Sequence, residues 1–184
     1  FRESSIQSMD LDSHRMHTGV IGILYLYLVL SALCVITYQF VGMSWYDSIC
    51  HMFTTVSTAG FSTRSGSIAA FNSPAIEWVA IVFMILGGTS FLVVLRLFRG
   101  NFKLVVQNAE LKGYYSILIG AMLLLFIIRL QELSANDFHT FVRESVFQVV
   151  SIMTTTGYST ADFNAWIPAA HTLLLALMLI GGSS

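Results

Sequence analysis

The chain has 184 residues, of which 55% are hydrophobic and 10% are charged, and its formal net charge is −1. Since an average soluble domain carries about 25% charged residues, this composition argues against a soluble protein and favours a membrane protein. The balanced charge gives no support for a nucleic-acid partner or for binding to an anionic surface.

Four stretches of the sequence are apolar enough to be membrane helices: 19–38, 74–95, 114–128 and 168–184. Because about 20 residues cross a bilayer as a helix, we expect the first two to span it outright and the third to span it with its flanks. The last stops before it has room to cross, so we expect a chain cut inside a helix. No cleavable signal peptide is evident at the polar start of the chain, which is compatible with an internal start.

Basic residues concentrate in two segments, the start of the chain and the link that contains Arg96, Arg99, Lys103 and Lys112. By the positive-inside rule, both segments face the cytoplasm. The polar segments at the other ends of the spans then lie toward the outer face of the membrane.

Two stretches between the spans are too long for simple turns and too short to cross a bilayer. Residues 45–57 rise about 20 Å as a helix, against a hydrocarbon core of about 30 Å, so this stretch must enter the membrane and turn back. Ser44 and Asp47 have the spacing of a capping box at its start, and residues 134–137 offer a similar start in the second case. Each short helix is followed by a polar segment, a loop and a proline suited to a first helical position: Pro74 and Pro168.

The polar segments that follow the short helices are nearly the same. Residues 57–63 read Ser-Thr-Ala-Gly-Phe-Ser-Thr, and residues 154–160 read Thr-Thr-Thr-Gly-Tyr-Ser-Thr. We call them the first and the second glycine loop. A repeat this long in an apolar chain indicates tandem membrane modules. One such stretch would more often serve helix packing, but two copies in the same context favour a functional element.

The glycine loops have the chemistry of a cation pathway. Extended backbone at membrane depth exposes carbonyl oxygens, and a glycine there can take φ values that turn successive carbonyls toward one axis. Such oxygens can replace the water around a partly dehydrated cation, and the C-terminal end of each short helix adds about half a negative charge. None of the ten carboxylates lies in either loop, which argues against a divalent-ion site. The residues therefore favour a monovalent cation: potassium, with or without sodium.

The short helices, the two glycine loops and the glycine pairs at 87–88 and 181–182 resemble the Trk/Ktr/HKT superfamily of potassium transporters. Within it, the likeness is to the TrkH-like membrane subunit of bacterial Trk systems. The likeness covers essentially the whole chain. The chain, however, corresponds to only two of the family's four span–pore helix–span repeats, the second and the third. The resemblance implies an all-α, polytopic protein of the bacterial inner membrane that transports potassium through a selectivity filter.

The resemblance also implies a division of the chain and a set of site residues. The expected parts are a cytoplasmic lead-in, a first pore repeat, a basic cytoplasmic link and a second pore repeat truncated within its last span: 1–16, 17–99, 100–113 and 114–184. The backbone carbonyls that line the ion path are those of Thr58, Ala59, Gly60, Phe61, Thr155, Thr156, Gly157 and Tyr158. A flexible gating loop begins at Gly181, Gly182, Ser183 and Ser184.

In the first copy we interpret Gly87 and Gly88 as a kink, because an apolar helix resumes at 91–94. K+ is the expected ion, without an organic cofactor. The expected partners are a second copy of the chain, as a homodimer, and a cytosolic nucleotide-binding ring that regulates transport. Neither partner is visible in the residues themselves.

Other functions remain as alternatives. A membrane-embedded enzyme would need a nucleophile with its base, or metal ligands on facing helices, and the sequence contains neither a GxSxG nor an HExxH motif. A non-transporting assembly subunit would leave the duplicated glycine loops unexplained. Among transporters, a Na+/K+ transporter or another cation channel subunit of the same architecture is the alternative to a potassium-selective one.

Several side chains outside the loops have simpler structural interpretations. We expect His51 to be a hydrogen-bonded packing residue, and Glu77 to lie in the first turn of a helix, where the N-terminus favours a negative charge. Arg129, at a helix end, is expected to snorkel to the lipid headgroups. Cys34 and Cys50 are expected to be packed apolar residues, because they lack the spacing of a redox or metal motif.

Overall fold

The computed structural model describes residues 2–90, 93–94, 109–130 and 138–182. Within these ranges every regular element is helical, in agreement with the expected all-α class. The α-helices there are α1 (Arg2–Phe40), α2 (Trp45–Val56), α3 (Pro74–Gly87), α4 (Ala109–Arg129), α5 (Phe138–Met153) and α6 (Pro168–Gly181). Short 3₁₀-helices lie in the connections after the two glycine loops, at Ser67–Phe71 and Phe163–Ala165.

The same order of elements occurs twice: a long helix, a short helix, a glycine loop and a helix of 14 residues. The long helices α1 and α4 contain segments that are long and apolar enough to cross a bilayer, Val20–Phe40 and Leu111–Arg129. The short helix α2 has 12 residues, and it rises about 18 Å, which is well short of a bilayer core. The helix α2 is therefore too short to cross a bilayer.

The helix starts agree with the local sequence signals. Ser44 caps α2, and its hydroxyl oxygen accepts the backbone N–H of Asp47 at 3.1 Å. Pro74 and Pro168 are the first residues of α3 and α6, as predicted from the fixed φ of proline. The expected start of the second short helix at 134–137 lies outside the described residues.

The expectation that residues 74–95 form one continuous spanning helix is wrong, although helix is present again at 93–94, as the interpretation of the glycine pair requires. The helix α3 ends at Gly87 and has 14 residues, so it rises about 21 Å against a core of about 30 Å. Val93 and Val94 are helical again, and their N–H groups donate to the carbonyl oxygen of Ser90 at 2.9 and 3.1 Å. The glycine pair therefore marks a break in the helix.

One hydrophobic core joins the two repeats. In the first repeat α1 packs on α2, in the second repeat α5 packs on α4 and α6, and α3 packs on α5 across the boundary. The core includes side chains with 0% exposure from both repeats: Cys34, Tyr38, Met84, Leu125 and Phe147. Cys34 is thus a packed residue, as expected. This shared core holds the two glycine loops side by side.

Candidate functional site

The two glycine loops have the same unusual backbone conformation. Gly60 and Gly157 have positive φ angles of 72° and 82°, which fits the role expected for the central glycine of each loop. Two positions earlier, Thr58 and Thr155 also have positive φ angles, of 53° and 59°. A positive φ is uncommon for a β-branched residue and persists only where its surroundings hold it. The loops therefore place matching, non-helical backbone at the ends of α2 and α5.

Each loop is held to the short helix before it by the same hydrogen bonds. The N–H of Gly60 donates to the carbonyl oxygen of Thr54 at 3.2 Å, and the N–H of Gly157 donates to that of Ser151 at 3.1 Å. The hydroxyls of these two helix residues donate to the carbonyl oxygens just after the glycines, those of Phe61 (2.8 Å) and Tyr158 (2.6 Å). A hydroxyl-bearing residue near the end of each helix thus fixes its loop on both sides of the glycine.

The two loops meet backbone to backbone. A β-carbon added at Gly60 would lie 1.7 Å from the carbonyl oxygen of Thr156, so no side chain fits there. At Gly157 a β-carbon would meet no described atom within 4 Å. The side chains of Thr156 and Tyr158 are buried, whereas that of Phe61 is 76% exposed. All eight residues expected to line the path lie in these loops, but their side chains have different environments.

The glycine pairs after the loops pack against the ends of the short helices. A β-carbon at Gly87 would lie 2.8 Å from the carbonyl oxygen of Val56, and one at Gly181 would lie 2.6 Å from that of Met153. Only a residue without a side chain allows this approach, so α3 and α6 both end where they cross a short helix. The expected gating loop begins at this crossing, and residues 183–184 lie outside the described part of the chain.

A buried carboxylate anchors the exit of the first glycine loop, a role that sequence reasoning missed. Asp47 is 5% exposed, and its carboxylate lies 3.1 Å from the Arg64 guanidinium and accepts the hydroxyl of Thr63 at 2.6 Å. The hydrogen bond from Thr63 is the largest cause that lowers the pKa of Asp47 below its ordinary value. Beside it, the buried His51 contacts the carbonyl oxygen of Asp47 (2.8 Å) and the hydroxyl of Ser62 (2.9 Å), which confirms its hydrogen-bonded packing role.

Two arginines make contacts that the sequence did not reveal. Glu77 lies in the first turn of α3 as expected, and it also binds Arg143 on α5 at 2.7 Å, which joins the repeats. The expectation that Arg129 snorkels is wrong, because this residue is 5% exposed. Its guanidinium donates to the hydroxyl of Ser145 at 2.9 Å and lies 3.7 Å over the ring of Trp166. The carboxylate of Glu144 lies 3.6 Å from the same guanidinium, so the charge has an ion-pair partner within the protein.

Comparison with known proteins identifies relatives of the whole arrangement. The chain is 35% identical over 163 residues to the Trk system potassium uptake protein TrkH of Halomonas elongata, across 87% of this chain and 33% of that protein. It is 31% identical over 153 residues to the Trk system potassium uptake protein TrkG of Escherichia coli K12, across 83% of this chain and 31% of that protein. The chain therefore spans about a third of the length of these relatives.

A solved structure and a family profile agree with these relatives. The crystal structure of the potassium transporter TrkH from Vibrio parahaemolyticus matches with a TM-score of 0.81 and 28% identity, across 89% of this chain and 36% of that chain. The profile of the family described as TrkH, cation transport protein, matches residues 15–132 and 121–184. The chain, with its two glycine loops and the helices that hold them, belongs to the TrkH family of cation transport proteins.

Proposed function

We propose that this chain forms part of a potassium-selective pathway across a membrane, in which backbone carbonyls of the two glycine loops bind the ion. The observation that carries this function is the matching left-handed backbone at Gly60 and Gly157, held by matching hydrogen bonds. Relatives named as potassium uptake proteins support potassium as the ion. The ion-binding groups are the carbonyls of Thr58, Ala59, Gly60, Phe61, Thr155, Thr156, Gly157 and Tyr158.

Backbone carbonyls suit potassium for physical reasons. Carbonyl dipoles can replace the hydration shell of a monovalent ion without the fixed charges that a divalent ion prefers. The C-terminal ends of α2 and α5 add partial negative charge next to the loops. The carboxylate of Asp47, close to the first loop, is already bound by Arg64 and Thr63 and is not a free ligand. The ion is therefore bound by dipoles.

The long helices fit a lipid environment. In α1 and α4, large apolar side chains remain more than half exposed: Leu24 (59%), Tyr25 (69%), Leu123 (59%) and Ile127 (63%). Such a surface on helices of spanning length matches the hydrocarbon core of a bilayer. We infer a multi-pass protein of the bacterial inner membrane. The homodimer, the nucleotide-binding ring and the gating role of Gly181 and the residues after it stay predictions from the family resemblance.

Ion flux through the purified full-length protein in liposomes tests this function directly. We expect potassium flux that exceeds sodium flux under equal gradients, because carbonyl cages favour the ion that is dehydrated more easily. Equal fluxes would favour the Na+/K+ alternative. Protein that inserts normally and conducts neither ion would indicate a non-transporting assembly subunit and would contradict the proposal.

The orientation in the membrane can be tested by cysteine labelling. In a variant without Cys34 and Cys50, a cysteine at Arg64 should react with an impermeant thiol reagent only from outside, and one at Lys103 only from the cytoplasm. Lys103 lies outside the described residues, so its side rests on the positive-inside rule alone. The cysteine-free protein is the control for background. Reaction of both positions from one side would contradict a topology with two re-entrant helices.

The two sides of the contact between the repeats each have an equivalent position elsewhere in the structure that is left unfilled. Tyr158 of the second loop is buried against α2, but Phe61, at the same place in the first loop, is 76% exposed. Conversely, an open cavity of about 160 Å³ lies at the second repeat, lined by Ser151, Ile152, Thr155, Gly157 and Met178. In the first repeat, Thr54 and Thr55 occupy the places of the first two lining residues and receive Tyr158. The inferred occupants of both open sites are further units of the same kind, which complete a ring around the ion.

A further inference from the structure

Four hydroxyl groups form a connected cluster behind the first glycine loop. The Tyr38 hydroxyl of α1 lies 2.9 Å from that of Thr55, which lies 3.2 Å from the Tyr158 hydroxyl of the second loop. The Tyr158 hydroxyl in turn lies 2.5 Å from that of Thr54. Tyr38, Thr55 and Tyr158 are each 0% exposed. The cluster therefore joins a long helix, a short helix and the second loop away from water.

The direction of the hydrogen bonds follows from the group at the end of the cluster. A carbonyl oxygen can only accept a hydrogen bond, so Thr54 must donate its hydroxyl proton wherever it binds one. The nearest carbonyl oxygen to the Thr54 hydroxyl is that of Phe61, at 2.8 Å. With the Thr54 proton on Phe61, the 2.5 Å contact is made by the Tyr158 proton, for which the carbonyl oxygen of His51 is a longer alternative acceptor at 3.4 Å. Tyr158 can then accept from Thr55. The cluster is thus a one-way chain of donors that ends on a carbonyl of the first glycine loop. In a low dielectric, such chains strengthen their members.

Among the described residues, this series of hydroxyl groups occurs only where the second glycine loop meets α2. At the second loop, Ser151 donates to the carbonyl oxygen of Tyr158 at 2.6 Å, but Ile152 replaces Thr55 and offers no hydroxyl. Phe61, which occupies the place of Tyr158 in the first loop, has no hydroxyl either. The hydroxyl that binds the carbonyl of Phe61 is therefore itself in contact with a side chain from the other repeat.

From this geometry we propose that the Tyr158 hydroxyl is a positioning group, which acts through Thr54 to aim the carbonyl of Phe61 at the ion. The inference rests on the proposed filter function. Thr54 has two longer acceptors within reach, the carbonyl oxygens of Cys50 (3.2 Å) and His51 (3.3 Å), and the bond from Tyr158 favours the orientation in which its proton points to Phe61 instead. Without the Tyr158 hydroxyl, the Thr54 proton is shared with these helix carbonyls and no longer holds the carbonyl oxygen of Phe61 in place. The first loop then tolerates a wider range of ion sizes, and selectivity falls while conduction continues.

The test compares potassium and sodium flux of single variants in the full-length protein, each normalised to its folded amount. Tyr158→Phe removes only the hydroxyl, and Thr54→Val removes the donor to Phe61 at nearly constant volume. Both should lower the potassium preference about two- to tenfold, the range of one net hydrogen bond. Thr54→Ser keeps the donor and should restore the preference. Tyr114→Phe is the matched control, because the buried Tyr114 hydroxyl has no hydrogen-bond partner in the described structure.

The outcomes separate this inference from the filter function itself. Normal selectivity in Tyr158→Phe and Thr54→Val, alongside lost selectivity in Gly157→Val, would overturn the positioning role and leave the filter in place. Normal selectivity in all three variants would overturn both. Lower abundance or melting temperature with normal selectivity of the folded protein would assign the hydroxyls a structural role only, which also contradicts the inference. Equal loss in Tyr114→Phe would show that the effect is not specific to the chain of donors.

Discussion

Replacing Gly60 or Gly157 with valine in the full-length protein will reduce its preference for potassium over sodium more than it reduces the amount of folded protein. Valine at φ angles of 72° and 82° is strained by roughly 1–2 kcal/mol. At Gly60 its β-carbon would also lie 1.7 Å from the carbonyl oxygen of Thr156. At Gly157 only the backbone strain applies, because a β-carbon there meets no described atom within 4 Å. In both variants the backbone must rotate, and the carbonyls turn with it. We expect a loss of selectivity of about tenfold or more, measured as the ratio of potassium to sodium flux.

Thr55→Ser is the control for these glycine variants. Serine keeps the hydroxyl that contacts Tyr38 and Tyr158, so the backbone of both loops should keep its position and the flux ratio should stay near that of the unmodified protein. If both valine variants accumulated normally and still preferred potassium, the glycine loops would not be the filter. A loss of abundance without a change in flux ratio would lead to the same conclusion.

Features that depend on neighbours in the chain could be predicted from the sequence. The start of α2 follows from a hydroxyl placed to accept an N–H three residues later, as Ser44 does for Asp47. The starts of α3 and α6 follow from the fixed φ of Pro74 and Pro168. The positive φ of the central glycines follows from their lack of a side chain.

Features that depend on the other repeat could not be predicted in this way. Apolar composition made 74–95 look like one spanning helix, because hydropathy does not register that Gly87 touches a carbonyl oxygen of α2. In the same way, a helix-end arginine suggests snorkelling, and only tertiary structure shows that Arg129 lies over the ring of Trp166. The bond from Tyr158 to Thr54 connects the two copies of the duplicated segment, and no local pattern contains it.

The geometry of the junction also supports the prediction that two loops alone do not close the proposed pathway. In the described structure, the first loop receives a neighbour at Thr54 and Thr55, whereas the second repeat presents an unfilled cavity of about 160 Å³ at the same place. At the other end, Phe61 is 76% exposed, and none of the described short helices receives it. In the proposed filter, the two loops would surround the ion on part of its circumference, and we expect the remaining carbonyls to come from further units.

Residues 1–184 expressed alone and placed in liposomes should carry no selective potassium current. With the ring open, polar backbone of the second loop would face lipid at the cavity beside Gly157, and each unsatisfied group there costs several kcal/mol. We expect flux at the level of protein-free liposomes, whereas the full-length protein conducts under the same conditions. A variant with Gly157→Val in the full-length protein is the control for an intact but distorted ring. Robust, selective flux from the 184 residues would show that two copies close the pore by inserting Phe61 of each into the cavity of the other, and the requirement for further units would then be wrong.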